Sequence, residues 1–370
     1  MDRSERISRS QGCLLLGAIG DALGAAVEFL GTEQIKDRFG PEGIVEPALA
    51  YGVNGPITDD TQMALFAADG LLSAYVRGAE RGILADYWTY VAKSYRRWLV
   101  TQDQGIEDVS EQWGSPELFE LVKRQGPRAP GNTCISALEQ MSTDSPATPA
   151  INNSKGCGTV MRVAPVGLFA SNFLDASDEE GLREIYKWGS EDAAITHGHE
   201  NAHNSSGVLA AIVAAVVSGT DLPTACRLAI DKLANKEVAA ICNEALRLAA
   251  DFADAEHLES LGEGWVAEEA LAMAIYCAVG ANADNIEPAE AADALRLSVN
   301  HGGDSDSVGA LTGNLIGVAA GMDAVPQALI AGTEVEDLEP LIGRYGQRLV
   351  TAKEYVAALA PPPPQHGWPD

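Results

Sequence analysis

Two short segments hold more oxygen ligands than capping a helix requires. One is Thr58-Asp59-Asp60-Thr61 and the other is Asp304-Ser305-Asp306-Ser307. Each sets two carboxylates and a hydroxyl within four residues at a loop-to-helix junction. Capping explains part of the pattern, because Asp, Ser and Thr accept from free N–H groups at a helix start and suit the positive end of its dipole. A cap needs one oxygen, however, and neighbouring carboxylates repel. A shared cation accounts better for two acidic pairs that each lead into an apolar helix. Carboxylate and hydroxyl oxygens suit Mg2+ or Mn2+, with Ca2+ also open, rather than zinc. Four carboxylates supply charge for two divalent ions, and such a pair can polarise a substrate oxygen and activate a water together. Glu28 is the natural additional acid/base group or ligand.

A second motif runs from Asn152 to Arg162, with Asn153, Ser154, Lys155, Gly156, Cys157 and Gly158 at its centre. Glycines among small polar residues expose backbone N–H groups to a phosphate, and Lys155 would add positive charge. The loop is neither a Walker A nor a GxGxxG pattern, and a plain connection into a helix is the competing reading. His199 and His203 are four residues apart, as zinc ligands on a helix are, but nothing nearby completes a tetrahedral set. Trp265 reads equally as a core aromatic or as a stacking platform.

The elements that position these groups read as helices. Apolar residues three and four apart recur at Ala64–Tyr75, Ala85–Leu99, Val208–Val217, Ala225–Leu233, Val238–Phe252, Ala267–Val279 and Ala291–Val299, and strand signals are nearly absent. The expectation is an all-α fold in one domain, 1–358, followed by a proline-rich tail, 359–370. Glycines recur at 17, 20 and 24 before Glu28, and at 309, 313, 317 and 321 after Asp306. Each costs a helix about 1 kcal/mol against alanine, so close backbone approach between two helices is the expected return.

The 370 residues carry 25 Lys+Arg against 53 Asp+Glu, a net charge of −28, which excludes a nucleic-acid-coating surface. Nucleic acid remains only as a modified acceptor. No run approaches the roughly 20 apolar residues of a membrane span. Six scattered cysteines without a CxxC pair suggest reduced thiols and a cytoplasmic setting.

Together the segments resemble the ADP-ribosylglycohydrolase family, over Gly12 to about Gly321. The resemblance rests on Gly17 to Gly24 with Glu28, Thr58 to Thr61, Pro130-Gly131-Asn132-Thr133, Gly156 to Pro165, Thr196-His197 and Gly302 to Ser307. It implies a compact orthogonal helical bundle with two divalent cations, Mg2+ or Mn2+, and hydrolysis of the bond between C1″ of ADP-ribose and an acceptor. ADP-ribosylated protein or small-molecule substrates and the ADP-ribose product would be its partners. By match, Thr58, Asp59, Asp60, Asp304, Asp306 and Ser307 would hold the metals. Glu28, Asp59, Asp60 and Asp304 would form the catalytic set. The segment Asn153 to Gly158, with Gly131, would cradle the pyrophosphate or distal ribose, His197 would line the pocket, and Trp265 would meet adenine. Three positions depart from common members: Cys157 stands where some carry Asn, Ser307 where many carry Thr, and Ala129 where many arginine-directed bacterial members carry Asp. The alternatives are a non-catalytic ADP-ribose-binding or crystallin-like member, and an immunity protein against an ADP-ribosylating toxin.

Overall fold

The computed structural model describes residues 1–83, 86–102, 114–141, 148–252 and 255–359. Among them are 17 α-helices and one two-stranded ribbon, so the all-α expectation is met. The expected helices are present and mostly longer at their amino ends. Ala64–Tyr75 lies within Asp59–Arg81, and Val208–Val217 within Glu200–Val217. The extensions follow from caps that periodicity does not detect, such as Thr58 on the first of these and His199 on the second. Cys157–Arg162 differs from expectation. It is a 3-10 turn, and the α-helix begins only at Ala164, just ahead of Pro165, whose missing N–H is tolerated in a first turn. The proline-rich stretch Pro361 to Pro364 lies outside the described residues.

Two antiparallel helices, Arg3–Gly24 and Ser305–Ala320, run through the centre of the molecule with their backbones in contact. A β-carbon placed on Gly20 would stand 2.0 Å from the Gly309 carbonyl oxygen, one on Gly313 2.0 Å from that of Leu16, and one on Gly317 2.1 Å from that of Gly12. The recurring glycines therefore let two helix backbones touch where side chains would hold them apart. In this frame Asn314 donates from Nδ2 to the Cys13 carbonyl at 2.7 Å, a buried polar pin between the pair. The contact also fixes what each helix carries at its functional end, since Gly24 abuts the Asp306 backbone. Around this axis pack the fully buried segment Val208 to Val217 and the Ala267–Gly280 helix. All six cysteines are free.

Leu49–Ala50 pairs antiparallel with Val53–Asn54 through a Tyr51-Gly52 turn in which both residues have positive φ, the backbone that two-residue hairpins prefer. The ribbon delivers the chain to Ile57 and Thr58. There the Ile57 N–H donates to Glu334 at 3.1 Å and its carbonyl accepts from Arg128 at 2.8 Å.

Gly313→Ala tests the backbone contact. The helix-propensity gain is about 1 kcal/mol, but the new methyl meets main chain that cannot rotate away, so we expect a net loss of about 2 kcal/mol in denaturant unfolding. Gly343→Ala is the control: its β-carbon would meet nothing closer than 3.5 Å, and stability should hold or rise.

Candidate metal centre and its surrounding loops

Each acidic segment devotes one residue to capping. The Thr58 hydroxyl oxygen accepts from the Asp60 N–H at 3.4 Å, and Asp304 accepts from the Ser307 N–H at 3.4 Å. Asp306 also accepts from the Ser307 N–H, at 2.9 Å, while Asp59 and Asp60 stand in the first turn of the helix that Thr58 caps.

The fold brings the two segments together. Ligand oxygens of Glu28, Asp304 and Asp306 lie within 4.8 Å of one another. Asp59 and Asp60 are close enough for the Asp306 charge to act on both. All five carboxylates are at least nine-tenths buried, as are Thr58 and Ser307. Burial, reinforced by Asp306, Asp304 and Asp59, pushes Glu28 up to about 11. Burial first and Asp306 second hold Asp59 and Asp60 well above the carboxylate range, and Asp304 is raised for the same two reasons. Among the described residues no Lys or Arg forms an ion pair with any of the five. Glu28 Oε2 and Asp60 Oδ1 are buried without a hydrogen-bond partner among the described residues. Converging hard oxygens, orphaned lone pairs and unneutralised charge are what a divalent-cation site presents before its ion binds, so the residues present fit the group.

The glycine-rich loop packs beside this cluster. The Gly131 N–H donates to Asp59 Oδ2 at 3.2 Å, and the Thr133 and Ser154 hydroxyls are 3.0 Å apart. Cys157 N–H donates to the Trp265 carbonyl at 3.1 Å, and Ala267 N–H to that of Lys155 at 2.9 Å, which ties the loop to the Trp265 segment. That segment is joined in turn to Asp304, whose N–H donates to Glu263 at 2.8 Å. Gly264, at φ +81°, makes the turn against Asp304 and Val308. Asn153 lies exposed at the outer end of the loop. Lys155 is ion-paired with Glu268, a buried carboxylate that also accepts from Asn201.

His197 lies beneath Gly156 and Gly158, whose β-carbons would come within 3.3 Å of its ring. Burial, with Arg162 nearby, lowers it to about 3, so it is neutral. Arg162 Nη2 donates to Thr196 Oγ1 at 3.0 Å, and that hydroxyl is 2.8 Å from His197 Nδ1. The Thr196 hydroxyl thus links the buried guanidinium to the neutral ring. Arg162 is itself fully buried against Asp192 and Tyr95. His199 caps its helix, and His203 Nε2 bonds the His197 carbonyl at 2.7 Å, so hydrogen bonding accounts for both imidazoles.

Sequence reasoning missed three residues at this site. Asp21, fully buried, accepts from the Thr58 N–H at 3.0 Å, from the Thr58 hydroxyl at 2.8 Å and from the Thr61 N–H at 3.1 Å, and it holds the whole first segment in place. Its signal was an aspartate closing the apolar run that starts at Leu14, seven residues before Glu28. Phe29 stacks on Trp265 with centroids 6.0 Å apart and planes 17° from parallel, and both rings are exposed, at 68% and 38%. Trp265 is therefore a surface aromatic and not a core one. Burial pushes the Tyr51 hydroxyl up, and Glu28, Asp306 and Asp59 are close enough for their charge to add to it.

Comparison with known proteins gives a coherent result. The family described as ADP-ribosylglycohydrolase matches residues 2–356. The ADP-ribosylarginine hydrolase Tri1 of Pseudomonas putida is 27% identical over 334 residues, spanning 87% of this chain and 73% of its own. The ADP-ribosyl-[dinitrogen reductase] glycohydrolase of Rhodospirillum rubrum is 25% identical over 334 residues, spanning 89% of this chain and 91% of its own. A solved ADP-ribosylglycohydrolase-related protein complex superposes with a TM-score of 0.61 at 24% identity, covering 94% of this chain and 99% of that one, which shows a shared fold.

The carboxylates give a pH-dependent signature. A carboxyl raised in the folded state favours folding while protonated, and that advantage is lost as pH rises from about 4 in the unfolded chain towards the folded value. For Asp21 that value is about 7 and for Glu28 about 11. The buried neutral histidines act in the opposite direction, but only below about pH 6.5, since His197 falls to about 3 and His301 to about 4 in the fold. Between pH 6.5 and 8 the melting temperature of chelator-treated protein should therefore fall. Added Mn2+ should raise it by an increment that grows with pH. A metal increment that shrinks over this range would contradict the assignment.

Proposed function

The chain belongs to the ADP-ribosylglycohydrolase family, and from that premise we propose that it is a metal-dependent ADP-ribosyl hydrolase that cleaves the C1″ bond between ADP-ribose and an acceptor, reversing ADP-ribosylation. The observation that carries the reading is the convergence of Glu28, Asp59, Asp60, Asp304 and Asp306 in one buried place with, among the described residues, no cationic side chain paired to any of them. Thr58, Asp59, Asp60, Asp304, Asp306 and Ser307 would hold two divalent cations, Mg2+ or Mn2+. When bound, these ions supply positive charge and Lewis acidity beside the ribose hydroxyls next to the scissile carbon.

The chain's own residues divide the remaining work. Glu28 would move the proton between the attacking water and the departing acceptor once nearby cations offset the burial that otherwise keeps it protonated, with Asp59, Asp60 and Asp304 completing the catalytic set. Asp21 keeps Thr58 and Thr61 from turning away. Backbone N–H groups of Gly131 and of the segment Asn153 to Gly158 cradle the pyrophosphate or distal ribose, and Ser154 and Lys155 border it. His197, a neutral imidazole, would line the pocket beneath that loop. Trp265 offers its exposed face to adenine, a contact worth about 1–3 kcal/mol by analogy with base stacking. The whole unit, 1–358, acts as one domain in the cytoplasm. No described helix is long and apolar enough to cross a membrane.

The retained carboxylates favour hydrolysis over a purely structural or binding role, because burying five of them serves no purpose in a protein that holds no cation. For the acceptor, Ala129 is the position that matters. It sits at φ +51° two residues before Gly131, in a left-handed conformation that Asp adopts at lower cost than Ala. The relatives named for ADP-ribosylarginine make arginine-linked ADP-ribose the first substrate to assay.

Release of ADP-ribose should be measured from arginine-, serine- and nucleic-acid-linked substrates with Mg2+, Mn2+ and chelator. Hydrolysis of at least one, abolished by chelator, is expected, and hydrolysis of none would remove the proposal. Asp59→Ala should lower turnover by about 10²-fold or more, with parallel loss of bound metal. Ala129→Asp should raise turnover on the arginine-linked substrate relative to the serine-linked one.

A further inference from the structure

Cys157 differs from the other cysteines of the chain. The other five are buried, and Cys157 alone is partly exposed. Its main chain is held by the bond to the Trp265 carbonyl, and its Sγ lies 2.7 Å from Asp304 Oδ2. Two buried oxygens in the same cluster, Glu28 Oε2 and Asp60 Oδ1, have no hydrogen-bond partner among the described residues. Glu28 is grouped with Asp304 and Asp306 within 4.8 Å. The sulfur thus stands against Asp304, at the edge of the acidic cluster that Asp304 forms with Glu28 and Asp306.

Resting on the metal-centre reading above, we propose that Cys157 enters that centre as a sulfur ligand and shifts its preference towards borderline ions such as Co2+ and Zn2+ relative to Mg2+. On binding, the S–H bond breaks, the sulfur electron pair goes to the ion and the proton leaves to solvent, so no oxidant or reductant is needed. Thiolate ligation favours softer ions, whereas Mg2+ takes oxygen. An oxygen-bearing side chain at position 157 would leave an all-oxygen site. With sulfur there, the donor set becomes mixed while every carboxylate stays in place.

The full chain, stripped with chelator, is titrated with Co2+ while absorbance and bound metal are followed together. A thiolate-to-cobalt charge-transfer band should saturate with the bound cobalt and be absent in Cys157→Ser. That variant should lose about tenfold in Co2+ affinity and less than about twofold in Mg2+ affinity. Cobalt held without the band, or a band that survives in Cys157→Ser, overturns the sulfur ligand and leaves the carboxylate centre standing. Retention of no Co2+, Mn2+ or Mg2+ overturns both. Thiol labelling of the unsubstituted protein with a disulfide reagent gives a readout independent of how the variant folds. Co2+ should protect one reactive thiol, and an unchanged labelling rate counts against the proposal.

Discussion

Five carboxylates packed into one buried place repel one another, and the rest of the architecture can be understood as what holds them there. Desolvation alone disfavours each charge, and every neighbour of like sign adds to the cost. Such a cluster cannot be assembled on flexible loops, because the loops would relax outwards into water. Here the groups are carried by rigid helix starts. Asp59 and Asp60 open one long helix, Asp304 and Asp306 open another, and Glu28 follows the end of a third. The first two orient N-terminal dipoles towards the carboxylates, which offsets part of the repulsion.

The glycine contact supplies the rigidity. Backbones that touch at Gly20 with Gly309 and at Gly313 with Leu16 have almost no freedom to slide, because each step past the other would drive a carbonyl into a neighbouring Cα. The weak helix propensity of glycine is thus offset by a fixed distance between Glu28 and Asp306. Asp21 performs a related task on the other side. It is buried, it accepts from both Thr58 and Thr61, and it holds the first acidic segment against the same helix that leads to Glu28. Removing any one of these devices would let the cluster open.

The parts legible in the sequence were those whose physics is local. Paired aspartates within four residues, glycines at helical spacing and Ala-rich periodicity are all read within a single turn or two, and the fold class and the convergence of both acidic segments followed from them. The parts that were not legible depend on partners far along the chain. Lys155 looks like a positive charge for a phosphate until Glu268, 113 residues away, is found against it. Trp265 gave no sign of Phe29, and Asp21 looked like the end of an apolar run. The neutrality of His197 depends on burial and on the nearby charge of Arg162, which no spacing encodes. The helix expected straight after the glycine-rich loop begins late because that stretch winds as a 3-10 turn before Pro165.

The pairing of Lys155 with Glu268 has a consequence for how an anion would bind. With that ammonium already matched, with His197 neutral, and with a net charge of −28 on the whole chain, little fixed positive charge is left beside the loop except the partial charges of backbone N–H groups. On the proposed reading, the field that a diphosphate meets must change sign when the carboxylates receive their cations. Metal and nucleotide sugar then bind with a mutual preference, and reciprocity requires each to tighten the other by the same factor. A site built in this way stays repulsive to nucleotides until it is loaded. The same excess of carboxylate that makes the empty protein costly to fold therefore also guards the site against anionic ligands in the absence of metal.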